Sequence, residues 1–279
     1  MRGSSGFLGR HALVIGIALM FLFTWPIDLA NAGLMPFQVP FLLYLFLGWG
    51  FILAAVLMTW LVLGRAAVGQ LLRRYLKWRV GWKWYLALLI VPTAATVAVF
   101  ATGLLTGTPP DFSQLLVDQV KPESFSRLAF LIPFLLTDAI SNGEEIGWRG
   151  YVLPRLQARF SALGAALILG VVWGLWHLPK FLTHWDSLHF AIFMLDTMAT
   201  SVILAWMYNG TDGSLLMVVL AHAARNTAGI YLPSASTVSA EGLGAFAVEV
   251  GLLILIAAAI VKFTGAAELS RTRTRQVQT

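Results

Sequence analysis

The run SALGAALILGVVWGLWHLPKFL, residues 161–182, decides the class of fold. Between Ala162 and Trp176 it carries no ionisable side chain. At a rise of about 1.5 Å per residue, about 20 such residues cross the roughly 30 Å of a bilayer's hydrocarbon core. Working outward, seven further runs of similar length fall at 11–31, 39–63, 84–106, 127–149, 188–208, 213–232 and 243–263. The runs are long and do not alternate, which points to helices and away from a barrel. The bulk composition agrees, with 58% hydrophobic and 11% charged residues among 279. A soluble domain holds about 25% charged residues. The expected fold is therefore all-α: a single polytopic membrane domain over 1–279 with about eight transmembrane helices.

Orientation follows from the bases. With both termini on the inside, 15 of the 19 Lys and Arg lie in inside segments and 3 in outside loops, while Arg225 falls within a span. That asymmetry predicts cytoplasmic termini. The segment 64–83 mixes Arg and Lys with Trp and Tyr and is expected to be an interfacial amphipathic helix on an anionic leaflet. Residues 264–279 read as a polar cytoplasmic tail. The first run, flanked by Arg2 and Arg10 and followed by Ala30-Asn31-Ala32, resembles a cleavable signal peptide. Trp25, Pro26 and Asp28 are unusual for a cleavage region, so a retained span is expected. The chain has no cysteine, which excludes disulfides, thiolate metal sites and cysteine nucleophiles. The net charge of +6 sorts to membrane loops and does not point to nucleic acid.

Charged and polar groups inside spans call for a reason. The fourth run ends in TDAISNGEEIGWRGYVLPRL, where Glu145 and Arg149 sit four apart in the favourable order for a helical pair. Glu144 points about 100° away. His177 has Trp173 one turn before it and Pro179 just after it, and the proline ends or bends the helix there. His222 and Asn226 share a face of the seventh run, and both can donate hydrogen bonds. If runs four and five form a hairpin turning near Phe160, Glu144 and His177 both lie roughly 25 Å from the turn. A converging cluster of Glu144, His177, His222 and Asn226 is thus allowed. Asp138, on the face of Asn142 and Glu145, is given no role, and neither are Asp196 and Arg225.

In order, Glu144-Glu145-x-x-x-Arg149, Trp173-x-x-x-His177 and His222-x-x-x-Asn226 resemble the EExxxR, FxxxH and HxxxN motifs of the CPBP intramembrane protease family, also called the CAAX prenyl protease 2 or Abi family. The departure is Trp173, where that pattern has Phe. The resemblance covers a core of 125–232. It implies an intramembrane endopeptidase in which Glu144 is the general base for water and His177 holds that water. His222 and Asn226 would donate to the oxyanion, with Glu145, Arg149 and Trp173 in support. Peptide hydrolysis needs such a base and such donors. Zinc on Glu144, His177 and His222 is conceivable, although no HExxH fixes a metal on one helix. The expected partners are the lipid bilayer and a peptide or protein substrate, and the short loops suggest a bacterial inner membrane. The alternatives are a non-catalytic scaffold or bacteriocin-immunity protein, and a proton-coupled transporter.

Overall fold

A computed structural model describes residues 6–40, 49–113, 115–141, 143–184, 187–233 and 243–270. Among the described residues every regular element is helical. In chain order these are α1 (Phe7–Asn31), α2 (Trp49–Leu63), α3 (Arg65–Arg73), α4 (Trp82–Ala87), α5 (Ile90–Thr106), α6 (Leu116–Val120) and α7 (Arg127–Ser141). A π-helical turn over Ile146–Val152 follows, then α8 (Leu153–Gln157), α9 (Ala162–Trp176), α10 (Leu178–His184), α11 (Ser187–Gly210), α12 (Leu215–Tyr231) and α13 (Leu243–Thr264). Among the described residues, four helices are long and apolar enough to cross a bilayer: Phe7–Asn31, Trp82–Thr106, Leu188–Gly210 and Leu243–Thr264. Trp49–Leu63 and Ala162–Trp176 are apolar but shorter. The structure is thus the all-helical membrane architecture expected from composition. Residues 41–48, in the first half of the second run, lie outside the described residues.

The fourth run departs from the expectation of one span over 127–149. Among the described residues helix α7 runs to Ser141, Gly143 is not helical, and Glu144 is helical again. The π turn then widens the backbone directly after the paired glutamates. Wide turns of this kind are rare and gather at functional sites. Arg149, expected among the cytoplasmic loop bases, is instead fully buried on that turn. The basic stretch 64–83 is likewise divided, into α3, a 3-10 turn over Arg74–Leu76, and a loop leading to α4.

The first helix is tied into the bundle by polar bonds as well as by packing. Trp25 Nε1 donates to the Trp176 carbonyl at 2.9 Å, and Trp176 Nε1 donates to Thr24 Oγ1 at 2.7 Å. The Tyr151 hydroxyl donates to the Ala12 carbonyl at 2.7 Å. Away from water, a tryptophan or tyrosine body buries apolar area while its single polar atom requires a partner. Phe51 of α2 meets the edges of Trp148 and Trp176 at 4.8 and 5.1 Å, closing the core around the π turn.

Helices α9 and α11 are the most extensively packed pair. They meet where Gly170 and Gly174 face α11. A Cβ at Gly170 would stand 2.6 Å from the Met198 Cα and 3.0 Å from the Thr197 carbonyl oxygen. Small residues four apart let helix backbones approach closely, and in lipid such packing, with little hydrophobic drive between helices, holds a bundle together. Just beyond α13, Ala266–Glu268 at the start of the expected polar tail are held against the bundle. Ala162 and Leu163 donate backbone N–H groups to the carbonyls of Ala267 and Ala266, and Asn209 Nδ2 donates to the Glu268 carbonyl. Residues 271–279 lie outside the described residues.

Candidate active site

Trp173 is the hub of the site. It lies one turn from the end of α9 and is 2% exposed. Its Nε1 donates to Glu144 Oε2 at 2.9 Å, and Trp148 Nε1 donates to the same oxygen at 3.3 Å. Its carbonyl accepts from His177 Nδ1 at 3.0 Å. A carbonyl only accepts, so Nδ1 carries the proton and the Nε2 of a neutral His177 keeps its lone pair. The edge of His222 meets the indole at 5.4 Å, and the Arg149 guanidinium stacks on the indole at 4.7 Å. One side chain therefore touches residues of all three sequence motifs.

Behind that indole lies a buried polar layer. Glu145 and Arg149 are both fully buried, and Arg149 Nη1 donates to Glu145 Oε1 at 2.9 Å. His222 of α12 donates from Nδ1 to the same oxygen at 2.8 Å. Glu145 Oε2, Arg149 Nε and Arg149 Nη2 take no protein hydrogen bond among the described residues. A carboxylate accepts only, so Nδ1 of His222 carries a proton, and Nε2 carries a second one when the ring is an imidazolium.

Asn226, one turn on from His222, donates from Nδ2 to Asp138 Oδ1 and Oδ2 at 3.3 and 3.2 Å. Asp138, given no role in the sequence reading, thereby gains a place: it orients the Asn226 amide. Arg225 donates from Nη2 to the fully buried Asp196 of α11, and Thr200 donates to the same carboxylate at 3.4 Å. Asn142 lies outside the described residues.

His222 lies within electrostatic reach of Glu144 and Asp138, and His177 within reach of His222 and Arg225. The four proposed catalytic groups therefore occupy one region, reached from the π turn, α9 and α12. In the sequence, Asp28 of α1 stands out only as an oddity of a possible cleavage region. It is 2% exposed and lies within electrostatic reach of Lys180 and Glu144. A carboxylate inside an apolar run is the signal that could have marked it. Among the described residues no three His, Asp or Glu side chains stand close enough together to hold a metal ion.

Residues 124–228 match the family model described as "Type II CAAX prenyl endopeptidase Rce1-like". The CAAX prenyl protease 2 of Methanococcus maripaludis is 29% identical over 150 residues, which cover 50% of this chain and 52% of that protein. The chain spans about half the length of that curated relative. The matched region contains every residue of the three motifs, together with Asp138, Asp196 and Arg225.

Proposed function

We propose that the chain is an intramembrane endopeptidase that hydrolyses a peptide bond with a water molecule activated by Glu144 and His177. The observation that carries this reading is the gathering of all three motifs on the single indole of Trp173. An ionised carboxylate offers about four lone-pair sites. The two indole donors on Glu144 therefore hold its orientation and leave acceptor capacity for a water. His177, with Nδ1 held by the Trp173 carbonyl, accepts from the same water at Nε2. The water oxygen attacks the carbonyl carbon as its proton passes to Glu144. Charge then develops on the substrate oxygen, where Nε2–H of an imidazolium His222 and an N–H of Asn226 donate to it. Collapse of the tetrahedral intermediate breaks the C–N bond, and the proton on Glu144 goes to the leaving amine. Oriented donors in a site that excludes water supply the largest part of such a rate enhancement. Glu145, Arg149 and Asp138 act through His222 and Asn226 and are positioning residues. The relative's name, CAAX prenyl protease 2, suggests a C-terminal or membrane-tethered peptide as the substrate class.

The test is a panel of membrane-tethered peptides offered to purified protein in detergent containing 18O-labelled water. Mass spectrometry is expected to find a cleaved product carrying 18O in its new carboxylate. No cleavage across the panel, with cellular phenotypes unchanged in Glu144→Gln, would instead favour a non-catalytic member of the family.

A further inference from the structure

Far from the site, at the basic end of the bundle, the ends of α11 and α13 and the start of α4 leave a cleft of about 630 Å³. Lys83, Trp84, Trp206, Gly210, Ala259 and Phe263 line it. Trp84 and Trp206 stand 4.7 Å apart between ring centroids and form one wall. The second wall depends on a glycine, because a Cβ at Gly210 would lie 2.2 Å from the Trp84 ring. Any larger residue there would displace the indole and close the cleft. Phe263 and Ala259 of α13 remain exposed on the far side.

The charge at the rim is one-sided. Lys83 is exposed, and among the described residues it makes no hydrogen bond or ion pair. Lys262 lies with its Nζ 5.8 Å from the Phe263 ring centroid, beside the opening. Nearby, Lys77 is already paired with Asp212 at 2.8 Å. The cleft thus pairs an apolar trough along membrane-spanning helices with unneutralised cations at the level where headgroups lie. Indoles and lysines at that depth mark the interface, and basic pockets between transmembrane helices recognise anionic headgroups.

We infer that this cleft is a binding site for one anionic phospholipid, with an acyl chain between the Trp84–Trp206 wall and Phe263 and the headgroup phosphate on Lys83 and Lys262. The cleft's volume lies in the range of small-ligand pockets. An apolar peptide would leave the two lysines without a counter-charge, whereas a phospholipid satisfies both halves of the site.

Native mass spectrometry of the full chain, released from mild detergent with phosphatidylglycerol or phosphatidylcholine of identical acyl chains, tests the inference. The first bound phosphatidylglycerol is expected to be held at least about fivefold more tightly than phosphatidylcholine, in line with the contribution of one lysine to anionic-lipid binding. Lys83→Gln is expected to weaken that preference, with Lys262 still in place, and to leave phosphatidylcholine binding unchanged. Ala259→Trp, at an exposed position, fills the trough and is expected to abolish the first binding event without loss of folded protein. Equal binding of the two lipids, wild-type binding by both variants, or displacement of the lipid by equimolar inorganic phosphate would each overturn it.

Discussion

Trp173 supplies something that the phenylalanine of the family pattern cannot, an indole N–H aimed at the proposed base. Replacing it with Phe keeps the aromatic surface beside His177 and His222 but removes the bond to Glu144 Oε2. A hydrogen bond to a charged group contributes about 1.5–3 kcal/mol. Trp173→Phe is accordingly expected to lower kcat by about tenfold or more with little change in KM, read by steady-state cleavage kinetics. An unchanged kcat would show that Trp148 alone orients the carboxylate. The Glu145–Arg149–His222 layer makes a different prediction. Removing one partner of a buried ion pair costs about 3–5 kcal/mol, while an apolar replacement of both partners is often tolerated. Arg149→Leu should therefore lower thermal stability sharply. The Glu145→Leu/Arg149→Leu double variant should regain most of that stability while remaining inactive, because His222 has lost the acceptor that fixes its ring. Equal destabilisation by the single and double variants would contradict this.

At the level of elements, spacing within one helix was readable and pairing between helices was not. Glu145 with Arg149, and Trp173 with His177, sit four apart in sequence and are bonded in the structure. Asp138 with Asn226, and Asp196 with Arg225, are 88 and 29 residues apart. Only the packing of α7 on α12 and of α11 on α12 brings them together, so the sequence could mark these residues as costly but not name their partners. The break at Gly143 and the π turn also escaped a reading based on hydropathy, which registers apolar length and not backbone hydrogen bonds. The α9–α11 crossing carries its own test. Gly170→Ala places a Cβ against α11 backbone that cannot yield as a side chain would. The variant should unfold several degrees lower in a thermal scan, while Gly69→Ala, in open space, should not. Outside the membrane, α6 is fastened to α7 by Arg127, which donates to both oxygens of Asp118 at 2.9 and 2.6 Å. That partner holds the Asp118 carboxyl below its usual range. The pair's contribution is therefore present above the unfolded carboxyl value of about 3.9 and lost as pH falls through the folded one. Protection factors at α6, corrected for the intrinsic exchange rate at each pH, should fall in acid, and Asp118→Asn should show that lower protection already at neutral pH.

For the whole molecule, composition was enough to establish a helical membrane protein, because a chain with so few charges has too little polar surface to be soluble. Orientation rests on the distribution of bases, and the absence of cysteine allows a direct check. Single cysteines placed at Gly81 and at Thr108, on opposite ends of the bundle, should react with an impermeant maleimide from opposite sides, Thr108→Cys from outside intact cells. Labelling of Gly81→Cys from outside would reverse the topology and place the lipid cleft on the other leaflet. The central claim concerns a single carboxylate. Glu144→Gln preserves the shape of the side chain and its ability to accept from Trp148 and Trp173, while removing its capacity to take a proton from water. General-base catalysis contributes about 10²–10⁴-fold. Cleavage of a tethered peptide by purified Glu144→Gln, folded as judged by its thermal transition, should fall by at least about a hundredfold in kcat with KM nearly unchanged. A variant that cleaves at the wild-type rate would contradict the account.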